Sequence, residues 1–97
     1  MKERDVENYL IKKCKEYNIL CFKFTSPSNA GVPDRILIGY GYTLFIELKR
    51  PGEMPRPLQL EIHKKMRNHG AYVFVIDNKN DIDAIIHHII TKRLPDN

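Results

Sequence analysis

Apolar and polar positions follow two different periods along the chain, and the changes of period divide it into seven elements. Apolar residues at three- and four-residue steps predict amphipathic helices, and short runs rich in β-branched and aromatic residues predict strands. The predicted helices cover residues 3–18, about 57–70 and 80–92. The predicted strands cover residues 19–25, 34–40, 42–49 and 71–77. Segments 26–33 and 50–57 concentrate proline, glycine and serine and are predicted to be loops.

The order α-β-β-β-α-β-α predicts an α/β sandwich of the three-layer type. A central mixed β-sheet would carry an antiparallel hairpin at its middle and helices on its faces. The almost wholly apolar segment 71–77 is predicted to be buried on both faces. At 97 residues the chain forms one domain, residues 1–97. The inner face of the second helix is predicted to carry Leu58, Ile62, Met66 and His69.

Charge and hydropathy narrow the classes of partner. The formal net charge is +4, a mild basic excess that favours anionic partners such as nucleic acid. No apolar run is long enough to span a bilayer and no leader resembles a signal peptide, so we expect a cytoplasmic protein without membrane contact. A chain of this size buries a modest core, which is compatible with a second subunit covering further apolar area.

The hairpin at 34–49 brings unusual polar residues onto one face. If it turns at Tyr40-Gly41, then Asp34 lies directly across from Glu47, with the two Cβ atoms about 4.5–5.5 Å apart. Lys49, two residues beyond Glu47, projects from the same face. The opposite face of the second strand is apolar and carries Leu44, Ile46 and Leu48.

Two carboxylates this close repel each other unless one is protonated or a divalent cation lies between them. Mg²⁺ prefers oxygen ligands, and a cation held there would serve phosphoryl chemistry, with Lys49 orienting the attacking water or binding the phosphate. Each feature alone has a simpler interpretation. Asp34 can close a turn after Gly-Val-Pro, and Glu47 with Lys49 can form a solvated ion pair. Their combination on one face favours a site.

Three motifs carry a resemblance to a known family: "GVPD" at 31–34, "ELK" at 47–49, and Arg56-x-x-Gln59. In this order and strand context they resemble the virus-type replication-repair nuclease (VRR-NUC) domain of the PD-(D/E)xK nuclease superfamily. The resemblance spans nearly the whole chain and implies a restriction-endonuclease-like core. It is typical of a stand-alone bacteriophage member, which would act in the cytoplasm of a bacterial host.

The resemblance also implies roles for individual residues. Asp34 and Glu47 would bind the metal, with the backbone carbonyl of Leu48 as a third ligand. Lys49 would be the catalytic lysine. In addition, Gln59 would support the active site or the scissile phosphate, and Glu7 would be the first-helix acid at the edge of the pocket, as a catalytic residue or a further metal ligand.

Contacts to DNA are predicted from the loops beside Lys49. Arg50 and Arg56 bracket the proline-rich segment, where they could reach phosphates, although a solvated loop is an equally good interpretation. Ser26 and Ser28 precede Gly31 in the other loop and are weaker candidates. Few side chains are available to read base edges, so we expect binding directed mainly at phosphates.

The expected function is that of a Mg²⁺- or Mn²⁺-dependent, structure-selective endodeoxyribonuclease that hydrolyses phosphodiester bonds in branched DNA. The resemblance points to Holliday-junction resolution by a homodimer, whose two sites would cut opposed strands. A less selective DNA nickase or flap nuclease remains an alternative, as does a non-catalytic nucleic-acid-binding module.

Overall fold

Three helices and four strands form in the predicted order, and the computed structural model describes residues 1–97. The elements are α1 (Glu3–Glu16), β1 (Leu20–Lys23), β2 (Arg35–Gly39), β3 (Tyr42–Leu48), α2 (Pro57–Asn68), β4 (Tyr72–Ile76) and α3 (Lys79–Ile90). β1 is shorter than predicted because its ladder to β2 ends where Lys23 pairs with Arg35. None of the helices combines the length and apolar character that a membrane crossing requires.

The sheet has the order β1-β2-β3-β4, with β2 and β3 as its central strands. The first three strands are antiparallel, and β4 runs parallel to β3, so the sheet is mixed as predicted. The predicted register of the hairpin is confirmed, since Gly39 pairs with Tyr42 and Arg35 with Ile46. Tyr40 and Gly41 have φ angles of 54° and 87°, which are the two positive values of a type I′ hairpin turn.

The helices cover the two faces of the sheet unequally. α1 and α3 pack together on one face and enclose the apolar core with β2, β3 and β4. α2 lies on the opposite face, where it packs against β4. The core side chains are Val6, Leu10, Cys14, Ile19, Leu37, Leu44, Ile46, Leu48, Ile76, Ile82, Ile85, Ile86 and Ile89. The three-layer α/β architecture is therefore confirmed.

The prediction for the inner face of α2 was wrong. Leu58 is 49% exposed and His69 is exposed, whereas Gln59 and His63 are the buried residues of this helix. Ile62 and Met66 are only partly buried. The helix is rotated so that two polar side chains face the sheet, because a carboxylate on β3 supplies a polar partner there.

Gly31 fixes the loop that precedes β2 against α2. Its φ of +97° lies in the left-handed region that glycine adopts without strain. A Cβ atom at this position would lie 3.1 Å from the carbonyl oxygen of Leu58 and 3.2 Å from the side chain of Ile62. Glycine therefore allows the close approach that sets Asp34, three residues later, at the mouth of the hairpin.

Candidate active site

Asp34 and Glu47 occupy opposed positions at the open end of the hairpin. Asp34 lies one residue before β2 and continues the register that pairs Arg35 with Ile46, so it faces Glu47. Glu47 is buried and Asp34 is partly buried. The backbone N–H of Leu48 donates to Asp34 Oδ2 over 2.8 Å, which holds this carboxylate beside the end of β3.

Lys49 and Gln59 both contact one oxygen of Glu47. Lys49 is 6% exposed, and its Nζ lies 3.4 Å from Glu47 Oε2. Gln59 Nε2 donates to the same oxygen over 3.1 Å, while Gln59 Oε1 accepts the backbone N–H of Arg56 over 2.9 Å. One side chain thus caps the beginning of α2 and holds the carboxylate on β3.

The surroundings of Glu47 favour its neutral form. Burial, reinforced by the charge of Asp34, raises the pKa of Glu47 from 4.5 to about 7, although the ammonium group of Lys49 opposes the shift. Glu47 Oε1 is buried and has no hydrogen-bond partner. A buried carboxylate oxygen without a partner costs free energy, and it is available to a further ligand.

His63 lies one helical turn after Gln59 and is completely buried. Its Nε2 atom lies 3.7 Å from Glu47 Oε1, and neither ring nitrogen makes a hydrogen bond. Burial, together with the charge of Arg67, lowers the pKa of His63 against the effects of Asp34 and the Gly31 backbone, which favours the neutral ring. From the sequence, His63 follows Gln59 by one helical turn and could approach the site, but the favoured prediction was a packed histidine without a role there. The spacing of four residues was the available signal, because it places both side chains on one face of a helix.

The donor set fits a hard divalent cation. No group of three or more carboxylates, imidazoles and thiols is arranged to hold a metal ion, so the protein offers a carboxylate pair rather than a complete cage. Mg²⁺ is commonly bound in this way, by one or two carboxylates with water and substrate phosphate in the other positions. The unpaired Glu47 Oε1 and the opposed Asp34 supply such a pair, with the Leu48 peptide beside them.

Two acids near the beginning of the first helix, Glu7 and Glu3, lie at different places relative to Asp34 and Glu47. Glu7 Oε2 lies 3.1 Å from both Nε and Nη2 of Arg35, in a part-buried ion pair on the face that packs against α1. Burial and then the charges of Asp34 and Glu53 raise the pKa of Glu3, against the effect of Lys49. Glu3 is thus a first-helix acid within electrostatic reach of Asp34. The sequence signal for Glu3 was its spacing of four residues from Glu7, which puts the two acids on the same side of α1.

The residues predicted to contact DNA are distributed around the site. Arg50 is exposed at the end of β3, and its Nη2 lies 3.2 Å from Glu53 Oε2. Arg56 is exposed directly before α2. Ser26 accepts a hydrogen bond from the Asn29 side chain within its own turn, and Ser28 is exposed there. The two arginines flank the segment after Lys49, whereas the serines make no described contact with the carboxylates.

Comparison with known proteins places this geometry in a family. No protein-family model matches the sequence. A curated phage protein, "Putative nuclease p44" of Acyrthosiphon pisum secondary endosymbiont phage 1, is 34% identical over 87 residues, which cover 89% of this chain and 92% of p44. A solved structure described as a VRR_NUC domain superposes with a TM-score of 0.82 at 30% identity, covering 91% of this chain and 97% of that one. The chain therefore belongs to the VRR-NUC family of nucleases.

Proposed function

We propose that this chain is a Mg²⁺- or Mn²⁺-dependent endodeoxyribonuclease that hydrolyses phosphodiester bonds in branched DNA, with Holliday-junction resolution as its activity. Asp34 and Glu47 would hold the cation, with the Leu48 carbonyl as a further ligand, and Lys49 would be the catalytic lysine. Nuclease membership of the family supports the reaction class, and the net charge of +4 suits a polyanionic substrate.

One observation carries the proposal. Glu47 is 2% exposed and opposed to a second carboxylate, yet its Oε1 atom has no partner. A purely structural position would be occupied at lower cost by an apolar residue, as at Leu44 and Ile46 on the other face of β3. The arrangement is best explained by a function that needs carboxylate oxygens beside Lys49.

The chemistry follows from the residues around the scissile phosphate. A divalent cation, when bound, would stabilise the charge that develops on a phosphoryl oxygen and make water more acidic. The Lys49 ammonium group, held beside Glu47, would bind a phosphate oxygen or orient the attacking water. Water adds to phosphorus, the bond from phosphorus to the leaving oxygen breaks, and one phosphate end and one hydroxyl end result. Arg50 and Arg56 would bind the flanking phosphates.

The first test is cleavage of a synthetic four-way DNA junction in Mg²⁺ or Mn²⁺, with the Asp34→Asn variant as control. We expect cutting by the wild-type protein and none by the variant or in excess EDTA. Undiminished cutting in EDTA would exclude the metal-dependent mechanism. Junction binding without any cutting in either metal would favour a nucleic-acid-binding module instead.

Substrate choice needs a second comparison under one metal. The four-way junction is assayed in parallel with flap, splayed and linear duplexes of matched sequence and length. Faster cleavage of the junction, with paired cuts in opposed strands, supports resolution. Equal rates on all substrates would identify a less selective nickase, and preference for the flap would identify a flap nuclease.

We also propose that the active form is a homodimer. The part of the sheet near β1, on the face that carries α2, exposes apolar side chains, because α2 packs at the β4 side. Leu20 and Phe22 are each 52% exposed there, beside the partly buried Ile36 and Ile38. A second copy of the chain on this surface would cover them, and a two-fold axis would supply two sites for opposed strands.

Sedimentation analysis tests the dimer directly. We expect the wild-type protein to sediment as a dimer and Phe22→Glu to sediment as a monomer, because the new charge would be buried in the interface. Leu58→Glu is the matched control, since Leu58 is similarly exposed but lies on α2. A monomeric wild-type protein at high micromolar concentration would exclude the homodimer.

A further inference from the structure

Two buried groups that lack partners face each other at the back of the site. Glu47 Oε1 and both ring nitrogens of His63 are without hydrogen bonds of ordinary geometry, although the Gly31 backbone lies close enough to the ring to partly offset the lowering of the pKa of His63. The distance between His63 Nε2 and Glu47 Oε1 is 3.7 Å. An N–H···O hydrogen bond is typically about 2.7–3.2 Å long, so a shift of about half an ångström would join these atoms.

The remaining contacts of Glu47 define what such a bond would add. Glu47 Oε2 already receives Gln59 Nε2 at 3.1 Å and lies 3.4 Å from Lys49 Nζ. Oε1 has no comparable contact. Gln59 and His63 are one turn apart on α2, so a single rigid helix presents one donor to each carboxylate oxygen. With one donor from His63, Oε1 would keep a further lone pair for another ligand.

We propose that His63 is a positioning residue, which donates from Nε2 to Glu47 Oε1 and, together with Gln59, fixes the orientation of this carboxylate for cation binding. The inference rests on the proposed function, because it concerns the same carboxylate. Residues that hydrogen-bond a metal ligand orient it, and their loss typically weakens metal binding by about 10–100-fold. His63 itself would touch neither the cation nor the DNA.

A packing role for His63 makes a different prediction. If the ring only fills space, an aromatic side chain of similar size would replace it without effect on the site. His63→Phe preserves the ring shape and removes the N–H donor, whereas His63→Gln restores a donor on a flexible side chain of comparable reach. His69→Phe serves as the matched control, because it changes an exposed histidine at the end of the same helix.

The decisive measurement is calorimetric titration of each folded variant with Mn²⁺ at pH 8, without DNA. We expect a 10–100-fold loss of Mn²⁺ affinity in His63→Phe, recovery to within a few-fold of wild type in His63→Gln, and no change in His69→Phe. Raising the Mn²⁺ concentration should restore the cleavage rate of His63→Phe. An unchanged Mn²⁺ affinity in folded His63→Phe would overturn the inference, even if its melting temperature falls.

A measurement on the wild-type protein keeps the inference testable if His63→Phe does not fold. Histidine ¹⁵N spectra at pH 8 in EDTA report which ring nitrogen carries the proton. We expect the Nε2–H form of His63, and the Nδ1–H form would overturn the proposed contact. If wild-type protein neither binds Mn²⁺ nor cuts DNA, the proposed function fails, whereas the ¹⁵N spectrum still decides whether His63 holds Glu47.

Discussion

Both faces of β3 are buried at its C-terminal end, but they differ in how their side chains are satisfied. Leu44, Ile46 and Leu48 point into the apolar core beneath α1 and α3. Glu47 and Lys49, on the alternate positions, are buried on the face that α2 covers. The first face stabilises the fold through dispersion and removal of apolar surface from water. The second face places charge in a dry environment, where it costs stability and acquires reactivity.

The difference shows how a small domain can separate folding from chemistry within one strand. Side chains alternate across a strand with a period of two, so seven residues can serve both purposes without compromise. Changes to the apolar face should therefore affect unfolding much more than the reaction of the folded protein. Changes to the polar face should do the opposite.

The largest expected effect is on catalysis by the polar face. Under the proposed function, Asp34→Asn, Glu47→Gln and Lys49→Ala should each lower the rate of junction cleavage by about 10³-fold or more, because each would remove a charge needed at the metal or the phosphate. Their circular dichroism spectra should match wild type. Glu61→Gln, at an exposed position of α2, is the control and should cut normally. Full activity in Lys49→Ala would contradict the proposed division between the faces.

The next effect is on stability from the apolar face. Ile46→Ala should lower the free energy of unfolding by about 2–5 kcal/mol, since it removes three buried carbon atoms and leaves a cavity. Urea unfolding measures this change, and the folded fraction should retain its cleavage rate. Leu60→Ala, at a half-exposed position on α2, should cost about 1 kcal/mol or less. Equal decreases in the free energy of unfolding in both variants would show that the buried face of β3 contributes no more to stability than a half-exposed position.

A third prediction concerns the stability cost of Glu47 itself, measured in EDTA. Its pKa in the folded protein is raised from 4.5 to about 7, so the folded state binds more protons than the unfolded state in this interval. The stability that Glu47 contributes is therefore fully present below about pH 4.5 and is lost as the pH rises through about 7. Relative to Glu47→Gln, wild-type protein should therefore lose about 3 kcal/mol over this window.

Chemical denaturation of both proteins at several pH values measures that difference, and the comparison cancels the contributions of carboxylates that do not interact with Glu47. Asp77, whose pKa is lowered because it accepts the Gly52 N–H, contributes equally to both proteins. A difference between wild type and Glu47→Gln that does not change with pH would show that Glu47 ionises normally when buried.

The smallest expected effect lies at the rim of the polar face. Arg56→Ala should weaken DNA binding several-fold and reduce by about one the slope of log affinity against log salt concentration, because one phosphate contact is lost. The backbone N–H of Arg56 that bonds to Gln59 is retained in this variant, so the site keeps its geometry. Lys92→Ala, just beyond α3, is a charge-matched control. An unchanged salt slope would remove Arg56 from the DNA-contacting surface.

The sequence was sufficient to predict the opposed carboxylates, because they depend on local rules. A two-residue turn and strict alternation fix the partner of every hairpin residue, and this places Asp34 across from Glu47 without knowledge of the rest of the fold. Lys49 follows from the same alternation. The element order and the three-layer architecture were predicted for a similar reason, since each segment has a clear period.

Residues whose position depends on packing between elements were not predictable in this way. Hydrophobic periodicity favoured Leu58 and His69 for the inner face of α2, but Gln59, which bonds to the buried carboxylate on β3, and His63 are buried there instead. Likewise, Glu7 pairs with Arg35, an interaction between α1 and β2 that no local pattern encodes. Such contacts depend on how a helix is rotated against a sheet, which is decided by tertiary packing.

The Tyr40-Gly41 turn has a consequence for which length changes the chain can accept. It lies at the far end of the hairpin from Asp34, and nothing lies within 4 Å of a Cβ atom added at Gly41. Extra residues placed in the loop would leave both strands in their present pairing. By contrast, deletion of one residue within β3 before Glu47 would move every later side chain to the opposite face of the sheet. The carboxylate of Glu47 would then point into the apolar core, and a leucine would face the proposed site. Natural length variation and inserted probes should therefore be confined to the tip.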